Sequence, residues 1–132
     1  QLSLWQDVVK RQAKVRRYSE TWLGRRRYLP GIVSDDWGKK SFAERCAMNT
    51  PIQGTAADII KLAMVNTAKK LAAGGYDARL ILQVHDELII ESAKSCADAA
   101  GHLLKTEMEN AVSLSVPLTV EISSGDSWYE AK

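Results

Sequence analysis

A chain of 132 residues, 45% hydrophobic and 26% charged, has enough apolar material for one domain with its own core and none of the bias that marks disorder. Its apolar runs fall far short of the roughly 20 residues that a membrane span needs, and no charged and apolar leader opens it, so a cytoplasmic protein without a membrane partner is expected. Cys46 and Cys96 have no paired Cys or His spacing, so neither a zinc site nor a disulfide framework is indicated and both are read as small buried apolar residues.

The net charge of +2 hides an asymmetry: residues 1–75 carry 14 basic and 6 acidic side chains, and residues 76–132 carry 4 and 10. A basic first part suits phosphate backbones and an acidic second part suits cations, although helices that differ only in their solvated faces give the same count.

The chain opens on Gln1, not methionine, inside what reads as a helix, with Leu4, Trp5, Val8, Val9, Gln12 and Val15 on a narrow apolar stripe. Lys10, Arg11, Lys14, Arg16 and Arg17 cover much of the rest. Next, residues 19–23 and 26–29 read as two short strands about Gly24, and Pro30-Gly31 marks their exit. Arg25, Arg26 and Arg27 cannot all face one way on a strand, so a structural ion pair is expected for at least one of them, with phosphate contact open to the others. Residues 33–40 read as a polar loop.

Ser41 and Glu44 have the spacing of a capping box that starts a long helix, whose stripe of Ile52, Ala56, Ile59, Ile60, Ala63, Met64 and Leu71 ends at Gly74-Gly75. Pro51 predicts a kink or break, and Thr50 with Gln53 forms a second capping box, which predicts two helices meeting at an angle. Arg45, Asn49 and Gln53, four apart, share one polar stripe able to donate to the acceptors that every base pair shows in the minor groove. The plainer alternative leaves Gln53 in the cap and the other two in water.

Residues 79–91, RLILQVHDELIIE, carry the densest chemistry. Two apolar runs flank His85-Asp86-Glu87, a pattern of strand, tight connection and strand, with Leu80, Leu82 and Val84 on one face and Arg79, Ile81 and Gln83 on the other. Turns usually carry Gly, Asn or Pro, so an imidazole beside two adjacent carboxylates calls for another reason. A hard divalent cation such as magnesium is one, and a solvated bend is the other. A helix over about 95–112 follows, with Cys96, Ala99, Ala100, Leu103, Leu104 and Met108 inward and Lys94, Asp98, Lys105, Glu107 and Glu109 outward. His102 has no assigned role. Pro117 introduces a third strand at 118–122, and Trp128 and Tyr129 are expected to pack back on the domain.

Four runs, GRRRYLP (Gly24 to Pro30), AERCAMNTPIQGTAADIIKLAM (Ala43 to Met64), QVHDE (Gln83 to Glu87) and GDSWYEAK (Gly125 to Lys132), resemble in order and spacing the carboxy-terminal part of the A-family DNA polymerases of the bacterial polymerase I type. The resemblance covers nearly the whole chain and is weakest over the first eighteen residues and the helix after Ser92. It implies an α+β fold, one domain over 1–132: an antiparallel palm sheet with helices packed on one face, the carboxy-terminal piece of a hand-shaped polymerase domain. It implies DNA-directed DNA synthesis in replication and repair, by nucleotidyl transfer from a dNTP to a primer end, in a bacterial or phage-like, nucleoid-associated enzyme. In that reading Asp86 is one of two metal-binding aspartates of a two-magnesium site, Glu87 is auxiliary, and His85 touches the primer end or holds the tip. Arg45, Asn49 and Gln53 track the minor groove of primer-template DNA, with Gln83, His85, Arg25 and Arg26 as further DNA contacts. The other metal aspartate and the fingers helix that grips the triphosphate have no match here, so the 132 residues alone are expected to be inactive without the missing N-terminal part. The palm of a phage-type single-subunit RNA polymerase and a non-catalytic nucleic-acid-binding fragment are the alternatives.

Overall fold

The structure, a computed structural model, describes residues 2–131, so the opening Gln1 and the last letter of the GDSWYEAK run lie outside the described residues. The elements in order are α1 (Leu2–Arg16), β1 (Tyr18–Glu20), β2 (Arg26–Tyr28), α2 (Trp37–Asn49), α3 (Thr55–Ala73), β3 (Ala78–Val84), β4 (Glu87–Ser92) and α4 (Ala97–Glu109), an α+β composition as expected. Where the sequence predicts one domain, the chain divides into two compact units, Gln1–Asp58 and Ile59–Lys132, each with its own apolar cluster. Among the described residues no helix is long and apolar enough to cross a membrane.

In the first unit Ala13, Leu29, Ile32, Ala43, Cys46 and Ala47 form the core, with Val9 packed against it. The stripe expected on α1 is mostly in water: Leu4, Val8 and Val15 are exposed, and the contact face is Val9 with Ala13. Gly24, at φ 85, turns the chain between β1 and β2, which pair antiparallel as Tyr18 with Tyr28, Ser19 with Arg27 and Glu20 with Arg26. The expected capping box at Ser41 does not form. Helix α2 begins earlier, where Asp36 accepts the Lys39 N–H at 2.9 Å, so the second half of the predicted loop is helical. Ser41 instead accepts from Arg45, and Glu44 pairs with Lys14.

Nor does a second cap form at Thr50. A π-helical turn, Thr50–Gly54, joins α2 to α3 with helical backbone angles on both sides, and the Thr50 hydroxyl donates back to the Cys46 carbonyl at 2.7 Å. Pro51 has no N–H to give the carbonyl of Ala47, four residues back, and the Ser19 hydroxyl of β1 donates to that carbonyl instead, at 2.9 Å. The proline thus produces a wider turn braced from outside rather than a break.

In the second unit α3 ends in a Schellman motif: Gly75, at φ 65, donates to Ala72 and Tyr76 donates to Leu71. Strands β3 and β4 pair antiparallel, and their register shifts by one residue between Leu80 and Leu82, so Ile81 and Leu82 together oppose Ile89. This bulge corrects the predicted alternation. Leu80 shares the core face with Leu88 and Ile90, but beyond the bulge Leu82 and Val84 fall on the opposite face and Leu82 is 42% exposed. Against that core face lie Ile60, Ala63 and Met64 of α3 with Leu104 and Met108 of α4. Glu107, expected outside, is buried and takes Lys70 at 2.6 Å. Cys96 is only half buried, with its thiol near the Asp77 and Ala93 carbonyls.

Residues 118–122 are not a strand. Their backbone joins no ladder, and the Val120 N–H donates to the Glu109 carboxylate at 3.0 Å, a side chain taking the place of a strand partner. Trp128 is half exposed and Tyr129 is 86% exposed, so neither ring is packed away as expected.

Candidate active site and candidate nucleic-acid interface

The β3–β4 hairpin closes through two residues, His85 and Asp86, with Val84 opposite Glu87. His85 adopts φ 52, a left-handed backbone that a glycine usually fills and that costs another residue on the order of 1–3 kcal/mol. The Gln83 side-chain amide donates to the His85 carbonyl at 3.1 Å and holds the turn from inside. Gln83, His85, Asp86 and Glu87 are all exposed, and among the described residues neither carboxylate has a hydrogen bond or an ion pair. The tip therefore presents free anionic oxygens on a strained, short connection.

Among the described residues no three His, Cys, Asp or Glu side chains come together as a metal cage. Two adjacent carboxylates are hard-oxygen donors of the kind magnesium takes, so they fit part of such a site and leave the remaining ligands to other groups.

In the first unit, Thr21, Arg25, Arg26, Arg27, Asn49, Thr50, Gln53 and Gly54 line an open cleft of about 190 Å³. The arginines part as strand geometry requires. Arg26 lies on the face of Tyr18, its guanidinium 4.6 Å from the ring centroid, and reaches Glu20 at 3.4 Å; Tyr18 first and Glu20 second hold it above its ordinary pKa. Arg25 lies 2.7 Å from a carboxylate oxygen of Asp58, an acid that is only 4% exposed. Arg27, which sequence reasoning left unassigned, has no partner among the described residues and is the free cation of the three. Asn49 and Gln53 are exposed with free amides, while the exposed Arg45 donates to Ser41 at 2.9 Å. No core hides the predicted stripe, and the π turn runs through it.

Sequence reasoning missed Asp58. It sits in a run of helix formers beside the apolar stripe, and only its partners, Thr21 and Arg25, set it apart.

The family model described as DNA polymerase family A matches residues 1–130. The chain belongs to that family. Family A relatives include DNA polymerase I of Bacillus subtilis, 52% identical over 96% of this chain and 14% of the relative. DNA polymerase I of Streptococcus pneumoniae is 48% identical over 97% of this chain and 15% of the relative. Among solved structures, the polymerase domain of Pol1 from M. smegmatis, in complex with DNA primer-template and dNTP, matches with a TM-score of 0.92 and 43% identity over 96% of this chain and 22% of that one. The chain thus spans about 15% of the length of the curated relatives it matches.

Proposed function

We propose that these residues form part of a DNA-directed DNA polymerase, contributing one metal-binding aspartate and part of the surface that holds primer-template DNA. The observation that carries the reading is the Asp86-Glu87 pair: exposed, without an internal partner, and fixed on a two-residue turn whose first position is strained. Buried acids are normally paired, and free carboxylates held on a rigid connection suit a ligand that comes from outside.

The reaction is nucleotidyl transfer: the primer 3′ oxygen forms a bond to the α-phosphorus of a dNTP, the bond to the β-phosphate oxygen breaks, pyrophosphate leaves, and the hydroxyl proton is released. Divalent ions, when bound, supply charge stabilisation to the attacking and leaving oxygens. Asp86 would hold such an ion, Glu87 would add a second oxygen donor beside it, and His85 would face the primer end or hold the tip. Arg45, Asn49 and Gln53 donate to minor-groove acceptors, which are nearly the same at every base pair, so they test pair shape without reading sequence. Gln83 steadies the turn, and the surface that carries Arg26 and Arg27 faces the phosphate backbone. The second metal aspartate and the triphosphate-gripping helix come from elsewhere in a longer chain, and residues 1–132 by themselves do not polymerise.

The test uses the full polymerase that contains this segment. Asp86→Asn should lower single-turnover incorporation with magnesium by several orders of magnitude, because a lost metal ligand removes stabilisation made mainly in the transition state, and leave duplex binding within a few-fold of wild type. Near-normal incorporation by that variant removes the catalytic assignment.

A further inference from the structure

Asp58 is a charged side chain, 4% exposed, that the metal and DNA assignments above leave without a task. One carboxylate oxygen accepts the Thr21 hydroxyl at 2.6 Å, and the other lies 2.7 Å from the Arg25 guanidinium as a charge contact, without the angle of a hydrogen bond. The Thr21 oxygen in turn accepts the Arg25 N–H at 3.1 Å, and the Thr21 N–H donates to the Arg25 carbonyl at 2.9 Å. Beside them the Trp22 N–H donates to the Thr55 hydroxyl at 2.9 Å. A Cβ added to Gly54 would come within 2.5 Å of the Thr21 methyl, so hairpin and helix are in direct contact there. These bonds fasten the tip of the β1–β2 hairpin to the π turn and the first turn of α3, all within one unit.

We infer that Asp58 is a positioning residue for duplex binding, acting through Arg25 and Thr21, and that Arg25 is its anchor rather than a phosphate contact. The anchored hairpin forms one wall of the cleft and carries Arg27 on the strand face it shares with Ser19; Asn49 and Gln53 form the other wall. Removing Asp58 leaves the free groups in place chemically but lets the hairpin move away from them, and leaves Arg25 beside an uncharged neighbour. Only the acid of the pair is buried, the Arg25 side chain being 58% exposed, so it is removal of Arg25 that would leave a buried charge uncompensated. The inference rests on the proposed duplex-binding reading and extends it from the groups that touch DNA to the group that places them.

The experiment measures primer-template affinity of the full polymerase across a salt series, with incorporation at saturating DNA read separately. Asp58→Asn and Arg25→Ala should each weaken binding about tenfold, and the double variant should be no weaker than the weaker single, since both break one contact. The slope of log affinity against log salt should stay at the wild-type value for Asp58→Asn and Arg25→Ala, and fall by about 0.9 for Arg27→Ala, which removes a phosphate contact. Incorporation at saturating DNA should remain near wild type for Asp58→Asn. Thr21→Ser keeps the hydroxyl and should bind like wild type, whereas Thr21→Val should resemble Asp58→Asn; matched melting temperatures between Thr21→Ser and Thr21→Val separate placement from unfolding. A reduced salt slope in Arg25→Ala, or additive losses in the double variant, overturns the inference. Failure of the wild-type enzyme to bind primer-template in a salt-dependent way overturns the duplex-binding reading instead.

Discussion

The two units handle charge in opposite ways. In the first, the acids nearest the cleft and the core meet cations within the unit: Glu44 with Lys14, Glu20 with Arg16 and Arg26, Asp58 with Arg25. What remains free on the cleft, among the described residues, is neutral amides and one guanidinium. In the second unit, Lys70–Glu107, Arg79–Glu91, Lys94–Asp126 and Lys105–Glu109 pair away from the hairpin tip, and Asp86 and Glu87 have no counter-charge among the described residues. On the proposed reading, a surface that fits a groove and a phosphate backbone would have its own charges compensated, whereas a tip that takes a cation would have charge left over.

The contrast can be broken at several points. Glu87→Gln should have the largest effect after Asp86→Asn, on the order of ten- to a hundredfold in single-turnover rate, because it halves the free charge of the tip. If instead the loss matches that of Asp86→Asn, the two acids act as equals. Gly54→Ala tests the contact between hairpin and helix: the Thr21 methyl cannot rotate away while its hydroxyl is held by Asp58 and the Arg25 N–H, so the added methyl should cost about 1–3 kcal/mol of stability and weaken duplex binding about tenfold. Thermal melts and binding isotherms read the two separately.

Arg45→Ala should weaken primer-template use about three- to tenfold, alike across duplex sequences, because minor-groove acceptors carry little sequence information. A marked preference for one base pair after the change would point to major-groove or shape readout. The smallest effect is on stability. Lys14, which donates to Glu44, holds that carboxylate below its ordinary pKa, so its contribution is present above the ordinary carboxylate range and is lost as pH falls through the lowered value. Glu44→Gln should remove about 0.2–1 kcal/mol at neutral pH and nothing in strong acid, measured by denaturant melts at both ends.

The hairpin of residues 79–91 was legible because two apolar runs and an unusual turn composition coincide there, and the motif runs around it carried the family. The bulge at Ile81 was not, since one extra residue in an apolar run leaves no mark in composition yet reverses every face beyond it. Residues 118–122 alternate as a strand does, but alternation speaks for a half-buried surface and says nothing about which backbone is available to pair. Ser41 and Glu44 matched a capping pattern that Asp36 had already made unnecessary. Of the candidate site residues, Asp86, Asn49 and Gln53 stand exposed and without partners among the described residues, while Arg25 pairs with an acid that no local pattern singles out.

The bond from Ser19 to the Ala47 carbonyl has a kinetic consequence. When the hairpin lifts off, that carbonyl loses its Ser19 donor and Pro51 has no N–H to replace it, a loss of about 0.5–1.5 kcal/mol. The β1–β2 hairpin and the π turn are therefore expected to open as one cooperative step, and amide hydrogens in both should exchange with a shared opening rate, distinct from the fraying of α1. Proline at position 51 in this way ties the lifetime of a wide helical turn to a strand that lies more than thirty residues earlier in the chain.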